Sequence, residues 1–160
     1  MSLKLQQLYN ILIIVLSWLS LTLIGVRDIK RFFPATLIIG VIEISTARIG
    51  KKRKWWTFYN KPNSYWFNEL PFNMGPFIFI SLWTLKIAYG NFKKYLLINA
   101  IIHAFFAFPF SFFAKKIKYY SLVRFNHFQF FMYFFLKAPL LYFLQFYLEK
   151  KKLFGLFNQR

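Results

Sequence analysis

The sequence predicts an all-α integral membrane bundle of four to five transmembrane helices, formed as one polytopic domain over residues 1–160. Hydrophobic residues make up 58% of the chain, whereas soluble domains contain about 45–50%. These residues fall into five blocks, and most of the Lys and Arg residues cluster between the blocks. Apolar blocks that match the thickness of a bilayer are typical of membrane-spanning helices.

The first and fourth apolar runs are the clearest spans. Residues 8–26 would extend about 28 Å as an α-helix, close to the hydrocarbon thickness of a bilayer. No small-residue cleavage site follows this run, so we expect an uncleaved first span rather than a signal peptide. Residues 95–114 are about as long, and Pro109 is expected to kink that helix.

The second run, residues 32–49, decides the number of crossings. It contains Glu43 and Arg48, so it either spans the membrane or forms a shorter helix that is buried or interfacial. Lys and Arg are more unevenly divided between the two sides of the membrane with four crossings, and the positive-inside rule therefore mildly favours four. The length of the second run favours five. Both the number of crossings and the orientation therefore stay open.

The third and fifth runs complete the bundle. Residues 72–90 form a short run with Pro and Gly residues near its start and Lys86 near its end. Residues 128–148 carry Lys137 and Pro139 near the middle of the run. No internal repeat is evident in the chain.

The charge of the chain is strongly positive. Lys and Arg number 22 against 4 Asp and Glu, which gives a formal net charge of +18. Nucleic-acid binding is one explanation of such a charge. The clustering between apolar runs favours anionic lipid headgroups instead, which attract basic clusters by roughly 1 kcal/mol per residue. We therefore predict a lipid bilayer with anionic headgroups as partner, and no nucleic acid.

The longest polar stretch, residues 50–72, combines basic and aromatic side chains. Trp and Tyr prefer the membrane–water boundary because each ring has an apolar body and a polar tip. The stretch therefore predicts a loop or short surface helix at headgroup level, acting as a partner-contact surface or as an anchor. Its candidate interfacial residues are Lys51, Lys52, Arg53, Lys54, Trp55, Trp56, Tyr65 and Trp66.

Five polar residues inside the apolar runs form a candidate intramembrane cluster: Glu43, His103, Lys137, Asn99 and Lys86. With five antiparallel spans, Glu43, His103 and Lys137 would share a depth near the bilayer midplane, whereas Asn99 and Lys86 would lie closer to one face. Ionisable groups at such depth are costly and usually face the bundle interior or water. The cluster predicts an ion relay or a pocket for a small substrate. The alternatives are a purely structural Glu–Lys pair and a Lys86 that extends to the interface.

The chain offers little for chemistry. It has no Cys, only two His residues and none of the common nucleophile, phosphate-binding or metalloprotease motifs. We therefore predict no catalytic residues, no cofactor and no metal site.

Several short segments carry a resemblance to a family. They are Lys51-Lys52-Arg53-Lys54-Trp55-Trp56, Glu69-Leu70-Pro71 with Gly75-Pro76-Phe77, and Ser121-Leu122-Val123-Arg124. Through them the chain resembles small uncharacterised multi-pass membrane proteins of spore-forming Gram-positive bacteria. The resemblance covers most of the chain and implies a bacterial cell membrane and four or five helices, with no catalytic residues.

The sequence thus favours a non-enzymatic, multi-pass protein of the cell membrane that binds a partner or serves as a membrane-associated accessory protein. The partner would be another membrane protein or a second copy of the chain. The alternative is a small transporter or permease subunit that uses Glu43, His103 and Lys137.

Overall fold

The computed structural model describes the backbone of residues 1–157 and the side chains of residues 1–151. Over these residues it is an all-α bundle, with five helical segments that are long and apolar enough to cross a membrane. The five spans are Leu3–Leu21, Val26–Lys52, Tyr65–Ala88, Phe92–Lys116 and His127–Lys151, numbered here 1 to 5. The last three residues of the predicted domain lie outside the described residues.

Spans 1 and 2 are single helices, α1 (Leu3–Leu21) and α2 (Val26–Lys52). Spans 3 to 5 are interrupted. Span 3 consists of α3 (Tyr65–Phe72), a π-helical turn (Asn73–Phe77) and α4 (Ile78–Ala88). Span 4 consists of α5 (Phe92–Phe105), a second π-helical turn (Phe106–Phe110) and α6 (Ser111–Lys116). Span 5 consists of α7 (His127–Phe135) and α8 (Lys137–Phe157), which meet at Leu136.

Local sequence explains where most spans begin. Ser2, Ser64 and Asn91 each accept a hydrogen bond from a backbone N–H in the first turn of span 1, 3 or 4. Asn126 forms a full capping box with Gln129 at the start of span 5. These caps satisfy backbone donors that a helix start leaves open.

Prolines lie inside both π-helical turns, and side chains bind carbonyl groups there. The turn in span 3 contains Pro76, and the turn in span 4 contains Pro109. The Trp18 indole donates to the Met74 carbonyl at 2.9 Å, and a ring nitrogen of His127 lies 2.7 Å from the Ala107 carbonyl. Such side-chain partners allow an irregular backbone to exist at membrane depth.

All five spans of the described residues run the length of the bundle, and each is long and apolar enough to cross a membrane. The Asn60 amide donates to the Met1 carbonyl at 3.2 Å, so the N-terminus lies at the same end as the connection after span 2. That placement requires span 2 to run the length of the bundle. The fold therefore favours five crossings over the four that the distribution of basic residues mildly favoured.

A short pair of strands joins two connections at that end. Strands β1 (Trp56–Phe58) and β2 (Tyr120–Leu122) are antiparallel, with Thr57 opposite Ser121. We call the end of the bundle that carries these strands the strand face, and the other end the opposite face. The strands position aromatic side chains against the interior, where the candidate site lies.

Candidate functional site

A cavity of about 90 Å³ lies inside the bundle, between spans 2, 3, 4 and 5. Each water molecule needs about 10–15 Å³ of such space, so several fit. The walls are mainly aromatic and aliphatic, with the strands closing the end towards the strand face. A few polar side chains interrupt this apolar lining, which is the usual composition of a ligand pocket.

The central polar feature is an ion pair between Glu43 of span 2 and Lys137 of span 5. The Lys137 Nζ lies 2.6 Å from Glu43 Oε2, and the two residues are only 8% and 2% exposed. Measured along the helices, both lie about 14–15 Å from the strand face. The pair therefore places two opposite charges near the middle of the membrane.

Tyr133 and Thr46 hold this pair in place. The Tyr133 hydroxyl donates to Glu43 Oε1 at 3.1 Å and lies 3.0 Å from the Thr46 hydroxyl. The Lys137 ammonium also sits 3.1 Å from the centre of the Tyr133 ring, a favourable cation–π position. The ammonium contacts Glu43 and the rings of Tyr133 and Phe134, and it is buried without a further hydrogen-bond partner among the described residues. A molecule in the cavity would therefore reach it by displacing part of these contacts.

Span 4 contributes a second polar line to the cavity wall. Tyr95, Asn99 and His103 lie one helical turn apart, and all three line the cavity. The Asn99 amide donates to the backbone carbonyl of Tyr95. The buried Tyr95 hydroxyl makes no hydrogen bond of regular geometry with the described residues, although Thr84 and Asn99 lie near it. The His103 ring stacks on Phe134 and forms no hydrogen bond within the described part of the chain. Water or a solute in the cavity would supply partners for these groups.

Polar groups continue towards the strand face. Glu69 lines the cavity and forms an ion pair with Lys51 at 3.1 Å. Tyr120 of β2 also lines it, and its hydroxyl lies 2.7 Å from the Ser111 hydroxyl. Burial raises the pKa of the Tyr120 phenol above its ordinary value, and the contact with Ser111 only partly opposes this. The phenol therefore stays neutral at physiological pH and can donate a hydrogen bond.

The predicted intramembrane cluster divides into two parts. Glu43, His103, Lys137 and Asn99 all line the cavity. Lys86 does not line it. The Lys86 ammonium donates to the carbonyl groups of Leu23 and Ile24, in the connection after span 1, and lies 3.7 Å from Asp28, near the opposite face.

Sequence reasoning missed Tyr95, Tyr133 and Glu69 as members of the site. A phenol is common in aromatic spans, and the sequence offers no signal that separates these two from other Tyr residues. Glu69 was assigned to the polar loop because the prolines nearby suggested that span 3 began later. Helix α3 begins at Tyr65 instead, because Ser64 caps it.

The predicted aromatic surface loop, residues 50–72, is partly packed into the protein and partly exposed. Trp56 is 8% exposed and lines the cavity, and Trp55 stacks on Phe125 with ring centres 4.4 Å apart. Lys51 is held by Glu69, and Tyr65 accepts a hydrogen bond from Asn73. Lys52, Arg53, Lys54 and Trp66 remain exposed, with Trp66 at 74%. Of the eight candidate interfacial residues, Trp56 thus faces the interior, because the strand pair turns its indole inward.

The described residues contain no group of three or more His, Asp or Glu side chains that could hold a metal ion. Comparisons with protein-family models, curated proteins and solved structures find no match to this chain. The resemblance to bacterial membrane proteins therefore stays a prediction, and the geometry of the cavity carries the functional argument.

Proposed function

We propose that the protein binds a small polar solute in its intramembrane cavity, as the ligand site of a small permease. The observation that supports this most directly is the Glu43–Lys137 ion pair on the wall of the cavity. Ionisable residues at this depth are costly and often mark solute or ion pathways. His103 and the Lys137 ammonium also line the cavity, and neither forms all the hydrogen bonds it can with the described protein residues.

The charges of the site favour a small zwitterion. A solute with one ammonium and one carboxylate group can exchange partners with the ion pair, placing its ammonium at Glu43 and its carboxylate at Lys137. Both protein charges then keep a partner, so neither is left alone in the low-dielectric interior. A volume of about 90 Å³ restricts the solute to a few heavy atoms. Glycine is the simplest molecule with these properties.

This proposal takes the alternative function that the sequence offered and places it ahead of partner binding. The reason is that Trp56 is buried and the half-buried Trp55 stacks on Phe125, so the expected aromatic contact surface is smaller than the sequence suggests. The exposed basic residues at both faces support residence in a membrane with anionic lipids, such as a bacterial cell membrane. Attachment to lipid and solute binding are compatible, since the basic residues lie outside the cavity.

Uptake of radiolabelled glycine into proteoliposomes made with anionic phosphatidylglycerol tests the proposal. We expect uptake above that of protein-free liposomes, and a loss of at least tenfold in Glu43→Gln. The matched control is Lys86→Gln, which removes an intramembrane Lys outside the cavity and should leave uptake unchanged. His103→Leu serves as a second cavity variant if Glu43→Gln does not fold. Parent protein that transports neither glycine nor the neutral solutes urea and glycerol above background would overturn the proposal.

A further inference from the structure

We infer that spans 2–3 and spans 4–5 are two copies of one helix–strand–helix unit, and that the paired strands between them are the gate of the cavity. The first unit covers Val26–Ala88 and the second covers Phe92–Lys151. Span 1 lies outside both units. The duplication stands on sequence and backbone alone, whereas the role of the gate rests on the proposed solute site.

The first evidence is a repeated sequence at the end of the first helix of each unit. Residues 50–57 read Gly-Lys-Lys-Arg-Lys-Trp-Trp-Thr, and residues 114–121 read Ala-Lys-Lys-Ile-Lys-Tyr-Tyr-Ser. The two segments share three Lys residues in the same positions. A small residue precedes these lysines, and two large aromatic residues and a hydroxyl residue follow them. The order of apolar runs alone did not reveal this repeat.

The backbone repeats with the sequence. Lys54 and Lys118 both adopt the left-handed conformation, with φ of 54° and 55°. The next residue in each case closes the helix end by donating to a carbonyl five residues back: Trp55 to Gly50 at 2.9 Å, and Tyr119 to Ala114 at 2.8 Å. Left-handed backbone is uncommon for any residue with a side chain. Two Lys residues with this conformation in corresponding positions indicate a shared local fold.

The strand pairing places a two-fold axis between the units. The antiparallel register is centred on Thr57 and Ser121, which occupy the same position in the repeat. An antiparallel pair of equivalent strands is related by a two-fold rotation through its centre. Because both units run from the opposite face to the strand face and back, this axis lies along the bundle.

The long helices obey the same relation. Residues of span 2 that are buried have buried counterparts 64 residues later in span 4. Both members are buried in the pair Glu43 and Ala107 and in the pair Ala47 and Ser111. The second helix of each unit is interrupted at a corresponding place. The π-helical turn of span 3 begins nine residues after the cap Ser64, and the break at Leu136 lies ten residues after the cap Asn126.

The cavity lies between the two units, so it lies on their axis. Ile39 and Glu43 of the first unit face it together with His103 and Lys137 of the second. Interrupted helices at corresponding places in two repeats are a known feature of solute-binding sites, where one repeat moves against the other. The duplication therefore explains why the polar site lies between spans 2 and 5 rather than within one hairpin.

The strands form the wall of the cavity at the strand face. Trp56, Phe58 and Tyr120 point from the strands into the lining. Beyond the three paired positions, few backbone bonds join the two units there, such as Val123 to Trp55 at 3.0 Å and Tyr59 to Tyr119 at 3.1 Å. Parting these bonds, together with the aromatic contacts that Trp56 and Phe58 make across the pair, would widen the cavity towards the strand face.

Buried apolar clusters pack at both ends of the cavity. At the opposite end, the fully buried Ile39, Leu82 and Leu85 belong to long helices. At the strand face, Trp56, Phe58 and Tyr120 of the cluster belong to the short strands that join the two units. We therefore expect the strand face to be the route by which water-soluble molecules reach the cavity, because the units can part there without separating long packed helices.

A disulfide across the strands tests the gate. Thr57→Cys and Ser121→Cys place two cysteines at directly paired positions, and paired strand positions satisfy the distance that a disulfide needs. The chain has no other cysteine. The reporter is Ser81→Cys on the cavity wall, labelled by the membrane-impermeant reagent trimethylammonium-ethyl methanethiosulfonate in detergent micelles. The matched control carries Thr57→Cys and Ser81→Cys without the cysteine at position 121.

The gate predicts that labelling of the cysteine at position 81 slows at least tenfold once the disulfide has formed, as confirmed beforehand by intact mass. Equal labelling with and without the disulfide would overturn the gate and leave the solute site standing, since the cavity would still be accessible. If the cysteine at position 81 is labelled in neither protein, the unlinked strands do not admit the reagent and the gate is also overturned. The proposed solute site would then be tested by glycine uptake of the parent protein. Failure of the two cysteines to form a disulfide under mild oxidation would contradict the strand pairing itself.

Discussion

Removing Lys137 alone should destabilise the protein far more than removing both charges of its ion pair. At the observed separation of 2.6 Å, Coulomb's law gives an attraction of about 6 kcal/mol with an effective dielectric constant of about 20. Desolvation of both groups offsets part of this attraction. Leaving one member of a buried pair unpartnered therefore costs about 3–5 kcal/mol in free energy of unfolding. We expect Lys137→Met to show a loss of this size.

The double variant Lys137→Met with Glu43→Gln should recover more than half of that loss, because the neutral amide needs no counter-charge and can still accept from Tyr133. The matched control is Lys86→Met, since the Lys86–Asp28 pair is longer and about one-third exposed. That control should cost about 1 kcal/mol or less.

Reversible unfolding in mixed micelles with increasing dodecyl sulfate, followed by Trp fluorescence, measures all three changes. Additive losses in the double variant would refute this account of the pair. So would a Lys137→Met loss no larger than that of Lys86→Met.

Three further predictions concern packing, ionisation and topology. Gly50→Ala should cost about 1–3 kcal/mol and alter Trp fluorescence, because an added Cβ would lie 2.6 Å from the Trp56 ring. Gly40→Ala, where the added Cβ meets nothing within 4 Å, should be neutral or stabilising in the same unfolding assay. Burial and nearby Glu149 raise the pKa of Tyr89 to about 12, so folding favours the neutral phenol. The stabilisation that comes from the neutral Tyr89 phenol is complete below pH 10 and is lost as the pH rises towards 12. In an absorbance titration of the folded protein, Tyr89→Phe should remove the phenol ionisation near pH 12. A titration curve that Tyr89→Phe leaves unchanged would contradict this. Finally, single cysteines for impermeant labelling of intact cells are placed at Ser2, Ser64, Ser121 and Asn91. The cysteines at positions 2, 64 and 121 should all be labelled or all be protected, and the cysteine at position 91 should show the other result. Identical labelling at positions 2 and 91 would contradict five crossings.

The number and approximate place of the spans could be predicted because each apolar run must match the thickness of the membrane. The boundaries shifted where capping residues decided them. Span 1 begins at Leu3 rather than at residue 8, since Ser2 caps it and buried Gln6 finds a partner in Asn68. Because Gln6 is polar, hydropathy alone places it outside the membrane span. Its hydrogen bonds allow it to be buried inside the span instead.

The candidate site was predicted only in part. Helical depth brought Glu43, His103 and Lys137 to one level, because rise per residue is fixed and the spans alternate in direction. It could not exclude Lys86, whose position depends on which face of span 3 meets span 1. It also could not reveal the inward turn of Trp56, which depends on pairing between strands 64 residues apart in the chain.

The most direct test of the central claim is glycine uptake by the charge-swapped variant Glu43→Lys with Lys137→Glu. The swap keeps an ion pair between spans 2 and 5 but moves each charge to the other wall of the cavity. If the pair binds the solute, the protein should still accumulate and unfold much like the parent, while uptake falls to the level of protein-free liposomes. Parental uptake in a stably folded swapped variant would contradict the claim and assign the pair a purely structural role.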